Sequence, residues 1–505
     1  MAMVVQHNMQ AMNSNRVLGG TTAAQAKATE KLSSGFRINR AADDAAGLTI
    51  SEKMRKQIRG LGRASKNAQD GISAVQTAEG ALTEVHSMLH RMEELSTQAA
   101  NGTNSKKDRD AIQSEISQLT TEIDRVSETT MFNETYLLKG DHTKPEKQKY
   151  LSVHDAGLEG TLVDNGDGTA TFTMNKLSVG DQVKIGGKDY IIGDTKDEVK
   201  KAVNKAMTNN GTAAYTPKPE DVITVNGVKY TYYTKAKNAN NQEFADGFYT
   251  LNPKATQEVK GRTVDEMFKE GSDITANGKT FHILDDQTVQ AKGITADGID
   301  DNNTSIISAG EAYMLAEKEL KAANSIGDTE SHVAVGYIDN KKLVPHELAK
   351  PTTDPNKFTI NVALTKVPET LSFNLHVGAD ADMSNKIGIS IDAMNSNFLG
   401  IKGLNVSDDS GMAATYAIDA IGDALSRVSA QRSSLGAIQN RLEHTISNLD
   451  NITENTTAAE SRIRDTDMAA EMVEYSKNNI LKQAGTSMLA QANQSTQSVM
   501  TLLQG

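Results

Sequence analysis

One set of residues with a type and spacing suited to chemistry is Gly278, Lys279 and Thr280. A Gly-Lys-Thr tripeptide ends the phosphate-binding loop of many nucleotide-hydrolysing proteins, where backbone amides and the lysine hold the phosphates. That loop also requires a glycine five residues before Gly278, and Asp273 stands at that position. We therefore interpret the tripeptide as part of a turn and not as a nucleotide site.

The second candidate is a set of metal-ligand residue types on one face of a predicted helix. His86, His90 and Glu94 follow one another at four-residue intervals, so their side chains project from the same side. A solvated helix face explains the same pattern, and the sequence offers no outer partner that would orient the imidazoles. We therefore predict no metal site.

The stretch from Asp164 to Gly168 is acidic and rich in glycine, but it lacks the alternating ligands and the final glutamate of a calcium-binding loop. A hairpin turn explains it better. The sequence has no cysteine, which excludes disulfides, thiolate metal sites and cysteine nucleophiles. It contains neither an H-E-x-x-H zinc motif nor a dinucleotide-binding G-x-G-x-x-G after a strand. We predict that the protein is not an enzyme and needs no cofactor.

The composition limits the possible partners. The 505 residues carry a formal net charge of -12, which excludes a general nucleic-acid-binding protein because such proteins need a basic surface. No stretch approaches the length of about 18 apolar residues that spans a membrane. The first residues have neither the basic nor the apolar region of a secretory signal. These features predict a cytoplasmic protein without a membrane span, unless export can occur without a signal peptide.

Aromatic residues and prolines divide the chain into two ends and a middle. Of the 10 Phe and 12 Tyr residues, 17 lie between residues 141 and 410, and so do all eight prolines. Proline interrupts helices, and aromatic residues favour strands. The sequence therefore predicts a multidomain α+β protein with helical ends and a β-rich middle.

Apolar residues in the helical ends follow the alternating three- and four-residue spacing of coiled-coil core positions. A first seam precedes a turn at residues 101–105, a second follows that turn, and a third lies towards the C-terminus. The seams are Val75, Ala78, Leu82, Val85, Leu89 and Met92; Ile112, Ile116, Leu119, Ile123 and Val126; and Ile421, Leu425, Val428, Leu435, Leu442, Ile446 and Leu449. The pattern predicts a discontinuous, all-α, coiled-coil-like helical bundle built from both termini, with the middle inserted. Two independent coiled coils are the alternative.

The extreme ends, residues 1–45 and 460–505, are rich in Ala, Gln, Asn, Ser and Thr. Apolar residues recur in them at helical spacing: Val4, Val5, Met9, Met12, Met468, Met472, Met488, Leu489, Val499, Leu502 and Leu503. Each segment is amphipathic but too poor in apolar residues to form a domain alone. We expect the segments to become ordered when many copies pack together. A membrane-surface helix is the alternative, although no Lys- and Arg-rich face with Trp or Phe anchors supports it.

Three stretches of the middle resemble one another. They are VKIGGKDYII (183–192), ITVNGVKYTY (223–232) and ITANGKTFHI (274–283). Each has two strand-like runs around a Gly-Gly or Asn-Gly pair, which favours the two-residue turn of a β-hairpin. LVDNGDGTATFTM (162–174) is a looser fourth candidate. The middle is predicted to form one or two β-rich domains built from varied hairpins.

Several long motifs at both ends resemble bacterial flagellin, the most characteristic being SSGFRINRAADDAAGLTISEKMR (33–55). The others lie at residues 4–16, 94–116, 375–391, 425–449 and 478–494. Together they cover about half of the chain and occur in the order found in the family.

The resemblance implies a structural subunit that polymerises with itself into the flagellar filament. It implies that residues 1–45 and 460–505 form the filament core and are largely disordered in the free monomer. Residues 46–140 and 375–459 would form a helical rod, and residues 141–374 the variable outer domains. Val4, Val5, Met9, Met488, Leu489, Val499, Leu502 and Leu503 would then contact neighbouring copies in the core.

The resemblance also implies a location and partners. Flagellins are secreted to the cell exterior through the flagellar type III apparatus, with the help of an export chaperone and a filament cap. The expectation of a cytoplasmic protein is therefore reversed, while nucleic acid and membrane remain excluded as partners.

A recognition site can be carried over from the same family. Flagellins that activate the vertebrate flagellin-sensing Toll-like receptor share a rod patch whose residues match Arg91, Leu95 and Glu115. A cation, an apolar anchor and a carboxylate suit an interface. Leu95 also fits the end of the first seam, where it would be a core residue. The alternatives to a filament subunit are a hook–filament junction protein of the same family and a secreted adhesin.

Overall fold

The computed structural model describes residues 8–208, 215–237, 243–250, 261–285, 297–339, 342–346 and 354–504. The chain divides into two compact units, each assembled from separate stretches of sequence. Unit 1 comprises Met1–Gln76, Ser372–Ile389 and Ser434–Gly505, and unit 2 comprises Thr77–Leu371 and Ser390–Ser433. Both ends of the chain therefore belong to unit 1, and the middle belongs to unit 2.

Long helices form both ends, as the sequence predicts. In chain order, the described helices are α1 (Met9–Ser34), α2 (Ala45–Ala100), α3 (Lys106–Thr129), α4 (Lys196–Thr208), α5 (Val264–Met267), α6 (Ala309–Asn324), α7 (Ser396–Leu399), α8 (Met412–Arg464) and α9 (Met468–Gln504). A short 3₁₀ turn lies at Met383–Asn385.

Local residues determine where these helices begin and end. The Asn8 side chain accepts a hydrogen bond from the backbone amide of Ala11 and so caps the start of α1. Gly35 ends this helix with a φ of 76°, a conformation that glycine adopts without strain. Ser105 and Asp108 form a reciprocal capping box at the start of α3, directly after the predicted turn.

The described strands all lie between α3 and α8 in the chain. In chain order they are β1 (Met131–Phe132), β2 (Thr135–Tyr136), β3 (Lys147–Tyr150), β4 (Gly160–Asp164), β5 (Thr169–Met174), β6 (Gln182–Ile185), β7 (Lys188–Gly193), β8 (Val222–Val225), β9 (Val228–Tyr233), β10 (Ala236–Lys237), β11 (Glu243–Phe244), β12 (Gly247–Tyr249), β13 (Asp273–Ala276), β14 (Lys279–His282), β15 (Ile306–Ser308), β16 (Val335–Asp339), β17 (Lys342–Val344), β18 (Lys357–Asn361), β19 (Leu364–Val367), β20 (Leu371–His376) and β21 (Lys386–Ile391).

The three related stretches form β-hairpins, which confirms the prediction. The pairs are β6–β7, β8–β9 and β13–β14. Asn226 and Gly227 turn the second hairpin with φ values of 47° and 80°, and Asn277 and Gly278 turn the third with 50° and 79°. Positive φ at both central residues identifies the type I′ turn that Asn-Gly favours. The Gly-Lys-Thr tripeptide therefore begins in a hairpin turn.

The middle contains two aromatic cores around larger sheets. Phe172 and Phe358 are fully buried in the first core, whose neighbouring sheet has the strand order β17-β16-β18-β5-β4. Phe248 and Phe268 are fully buried in the second, next to the sheet of order β12-β9-β8-β13-β14. These two cores account for the concentration of aromatic residues in the middle of the sequence.

The coiled-coil-like seams pack as buried helix faces. Every residue of the first seam, from Val75 to Met92, is buried. Within unit 1, Ser51 donates a hydrogen bond to Glu460, and Ser65 lies 3.3 Å from Asp450. The residue numbers fall along α8 as they rise along α2, so the two helices run antiparallel.

The guanidinium of Arg109 stabilises the turn between α2 and α3. Its side chain is only 3% exposed and donates hydrogen bonds to the backbone oxygens of Ala99, Asn101, Asp408 and Asp409. Carbonyls near the end of a helix carry partial negative charge, so a buried cation is well placed there. One residue thus joins α2, α3 and the loop before α8.

Strand β21 and the last two residues of β20 lie within residues 375–459, which the sequence predicts to be part of the helical rod. The two strands pair in a two-stranded sheet. Burial alternates along β21, with Ile387, Ile389 and Ile391 buried and the residues between them exposed. This two-residue periodicity is typical of a strand with one covered face, and it is visible in the sequence Lys386–Ile391.

Candidate assembly and recognition surfaces

The two terminal helices, α1 and α9, pack against each other within unit 1. The Asn8 side-chain amide donates to the carbonyl of Ala492 over 2.9 Å, and Lys31 pairs with Glu471 at 3.4 Å. Ala28 and Ala492 are buried. The pair is therefore antiparallel, and small residues are buried in both helices.

Large apolar side chains of the same two helices are exposed. Val473 and Ile480 are 69% and 66% exposed. The full set is Met9, Met12 and Val17 on α1, and Met468, Met472, Val473, Ile480, Leu481 and Met488 on α9. Exposed large apolar side chains are unfavourable in water unless another surface covers them.

The predicted filament-core residues fall into three groups in the structure. Met9 and Met488 are exposed, and Leu489 is half-buried. Val4 and Val5 lie outside the described residues. The backbone of α9 includes the positions of Val499, Leu502 and Leu503, but their side chains also lie outside the described part of the chain.

Four exposed apolar residues of the terminal helices are absent from the sequence prediction: Val17, Val473, Ile480 and Leu481. Val473 and Ile480 are seven residues apart, which is two helical turns, and Val473 directly follows Met472. Their spacing could therefore have identified them.

The segment from residue 33 to residue 55 contacts the end of α8 through aromatic and charged side chains. The Phe36 ring contacts two guanidinium groups, with its centroid 5.5 Å from that of Arg55 and 4.8 Å from that of Arg464. Arg55 also pairs with Glu460 at 3.4 Å, and Arg464 with Glu52 at 2.6 Å. Cation–π contacts and ion pairs thus hold the start of α2 against the end of α8.

The predicted recognition residues lie on α2 and α3 within unit 2. The Arg91 Nε atom donates to Glu115 over 2.9 Å, and Glu94 lies 3.2 Å from Arg91 on the other side. These carboxylates raise the pKa of Arg91, mainly through the hydrogen bond to Glu115. Leu95 is only 2% exposed and completes the buried seam. The helical hairpin therefore brings Arg91 and Glu115 together at the surface, with Leu95 beneath it.

The histidine pair on α2 adjoins this patch. The Nε2 atoms of His86 and His90 are 3.1 Å apart, and the Nδ1 atom of His90 is 3.3 Å from Glu93. Burial, with the neighbouring charges of His90 and Arg432, lowers the pKa of His86. Glu94, which the sequence analysis grouped with the histidines, pairs with Arg91 instead.

Among the described residues, no cluster of three or more His, Cys, Asp or Glu side chains could hold a metal ion. None of the helices in the described ranges is both long enough and apolar enough to cross a membrane.

Both ends of the chain match family models. Residues 5–143 match the bacterial flagellin N-terminal helical region, and residues 418–503 match the bacterial flagellin C-terminal helical region.

Relatives match along the whole length. A flagellin from Clostridium tyrobutyricum is 35% identical over 500 residues, covering 98% of this chain and 100% of the relative. A flagellin from Salmonella muenchen is 33% identical over 542 residues and is covered completely, as is this chain. Among solved structures, FliC from Burkholderia pseudomallei is 15% identical with a TM-score of 0.25, covering 74% of this chain and 99% of that one. This last likeness is too slight to support an inference.

Proposed function

Because this chain belongs to the bacterial flagellin family, whose members are subunits of the flagellar filament, we propose that copies assemble through the exposed apolar faces of α1 and α9. The observation that carries the proposal is the row of large apolar side chains that these helices leave uncovered. Water contact with such groups is unfavourable, and burying one isoleucine contributes about 1.5–3 kcal/mol. Burial between copies removes that cost.

The arrangement of the chain follows from this proposal. Residues 1–45 and 460–505 form the filament core, residues 46–140 and 375–459 the rod around it, and residues 141–374 the outer domains. Each copy offers one surface to a different surface of the next, and repeated addition of this kind gives an open helical polymer. The family is structural, and no catalytic role is proposed.

We also propose the export and assembly partners that are typical of the family. The subunit is secreted through the flagellar type III route, bound by an export chaperone inside the cell and by the filament cap at the growing tip. A hook–filament junction protein and a secreted adhesin are the other candidates. The full-length identity to flagellins favours the filament subunit over both.

A matched pair of substitutions tests the packing surface. Ile480→Gln places a polar group on the proposed interface, whereas Ile338→Gln makes the same change at a residue that is 62% exposed on β16. Ile480→Gln should weaken the association free energy by about 1.5 kcal/mol or more per subunit contact. This raises the critical concentration for seeded polymerisation by at least about tenfold. Ile338→Gln leaves it unchanged.

Sedimentation of polymer at several subunit concentrations measures the critical concentration. Circular dichroism establishes whether both variants are folded. Equal critical concentrations for the wild type and Ile480→Gln would contradict the proposed surface.

We further propose that Arg91, Leu95 and Glu115 form the site recognised by the vertebrate flagellin-sensing Toll-like receptor. Arg91 and Glu115 are adjacent and half exposed, so a partner can contact both. Leu95 is buried, and its contribution is therefore to hold this part of α2 in place. A fixed guanidinium next to a carboxylate gives a partner a directional set of charged hydrogen bonds.

Binding of purified receptor ectodomain to single variants tests this site. Arg91→Ala and Glu115→Ala should each weaken binding by at least about tenfold, as expected for interface hot spots. Arg125→Ala removes an exposed arginine of α3 that pairs within its own helix, and it should have no effect. Exposed ion pairs contribute little to folding, so all three variants remain folded. Wild-type affinity in both patch variants would exclude the site.

A further inference from the structure

The two histidines of α2 are in direct contact, with their Nε2 atoms within hydrogen-bond distance of each other. His86 and His90 lie one helical turn apart, and their rings meet edge to face with an interplanar angle of 85°. Their Nε2 atoms are 3.1 Å apart. His86 is half-buried and His90 is exposed, so the pair lies at the surface of unit 2.

This separation matches that of two nitrogen ligands on one ion. Transition-metal ions bind imidazole nitrogen at about 2.0–2.1 Å. Two nitrogens 3.1 Å apart then subtend an angle of about 98° at the ion. That angle lies between the roughly 90° of square-planar sites and the roughly 109° of tetrahedral sites.

An outer partner orients one of the rings. Glu93 lies 3.3 Å from Nδ1 of His90, which can donate its proton to the carboxylate and leave Nε2 as a free ligand atom. Carboxylates in this position fix the ring and increase the basicity of metal-binding histidines. Glu94 cannot orient His90 in the same way, because its carboxylate is paired with the Arg91 guanidinium at 3.2 Å.

The surrounding charges permit a cation. Arg432 is near enough to His86 to oppose a positive charge there. However, Glu79 lies 3.7 Å from Arg432 and offsets its charge. Glu93 adds a second negative charge on the other side of the pair.

We propose that His86 and His90 chelate one divalent transition-metal ion through their Nε2 atoms, with Glu93 as the residue that positions His90. Two protein ligands leave the other coordination positions to water. Imidazole nitrogen favours Cu²⁺, Ni²⁺ and Zn²⁺, with Cu²⁺ bound most tightly, whereas Mg²⁺ and Ca²⁺ prefer oxygen. The bound ion links two successive turns of α2 beside the Arg91–Glu115 pair.

Calorimetric titration of the full chain with Cu²⁺ and with Zn²⁺ at pH 7.5 tests the proposal. The wild type should show one site per chain that is absent from both His86→Ala and His90→Ala. Glu93→Gln should weaken this site by about tenfold, the lower end of the effect of removing an outer partner. Glu94→Gln is the matched control and should bind as the wild type does. Circular dichroism establishes that each variant retains its helices.

Electron paramagnetic resonance of the Cu²⁺ complex gives an independent readout. The wild-type spectrum should show coupling to two nitrogen ligands, and the His90→Ala spectrum should lose it. The proposal is overturned if His90→Ala binds Cu²⁺ with wild-type stoichiometry and affinity. It is equally overturned if Mg²⁺ competes with Zn²⁺ at similar concentration, because that would indicate a carboxylate site.

Discussion

Among single residues, Lys149 has an ammonium group whose surroundings disfavour its charge. Its Nζ atom lies 3.3 Å from the centroid of the Phe398 ring and 3.4 Å from the Phe398 carbonyl oxygen. Burial, reinforced by the nearby Arg427 guanidinium and only partly opposed by Asp392, lowers the pKa of Lys149 to about 8. The folded protein therefore holds this proton less tightly than the unfolded chain does.

This shift predicts a pH dependence of stability. Between pH 8 and the ordinary lysine pKa of 10.5, the unfolded chain binds more protons at this position than the folded chain does. Stability conferred by this group therefore rises with pH across that window. Lys149→Met should remove this part of the rise in the urea midpoint, whereas Lys229→Met, at an exposed lysine of β9, should retain it. A slope that is the same in Lys149→Met and the wild type would refute the assignment.

The histidine pair and its neighbours show how far sequence reasoning extends at this scale. Helical spacing correctly places His86 and His90 together, but it allows both Glu93 and Glu94 as partners of His90. In the structure Arg91 pairs with Glu94, which leaves Glu93 as the partner of His90. Which carboxylate pairs with which group depends on side-chain geometry that the sequence does not contain. The carbonyl partners of Arg109 at residues 408 and 409 are about 300 positions away, and no local pattern indicates them.

At the scale of elements, helix α2 contains a glycine that packing does not require. Gly80 is exposed, and nothing lies within 4 Å of the position that a Cβ atom would take. Glycine inside a helix is less favourable than alanine by about 0.5–1 kcal/mol. Gly80→Ala should therefore increase the free energy of unfolding of the monomer by this amount.

Gly400 provides the opposite case, because it caps α7 with a φ of 80°. A Cβ atom there would also lie 3.2 Å from Leu151. Gly400→Ala should decrease the free energy of unfolding by at least about 1 kcal/mol. Chemical denaturation of both variants measures the two changes, and a decrease for Gly80→Ala would show that its surroundings are not open.

Elements differ in how much of their structure is visible in the sequence. The seams and the Asn-Gly hairpins follow from short-range spacing, so they are predictable. Strand β21 lies wholly within the predicted helical rod, because its six residues are short beside the long helical segments that follow it in the chain. The pairing of the hairpins into sheets, such as β8 with β13, depends on contacts between distant segments.

For the whole molecule, the low aromatic content of the ends has a structural meaning. The middle buries its aromatic residues in two cores of its own. The terminal helices instead bury small residues such as Ala28 and Ala492, and they expose methionines, valines, Ile480 and Leu481. A subunit of a flagellar filament has neighbours that can cover such surfaces, so a poor internal core at the ends is compatible with a stable assembly.

Hydrogen exchange of the monomer and of the assembled polymer tests most directly whether the terminal helices are completed by neighbouring copies. Amides of α1 and α9 should exchange rapidly in the monomer and at least about a hundredfold more slowly in the polymer, because association suppresses local opening. Amides of α4, within the outer region, should exchange at the same rate in both forms. Equal exchange of α1 and α9 in monomer and polymer, or a chain that stays monomeric when seeded, would contradict assembly through these helices.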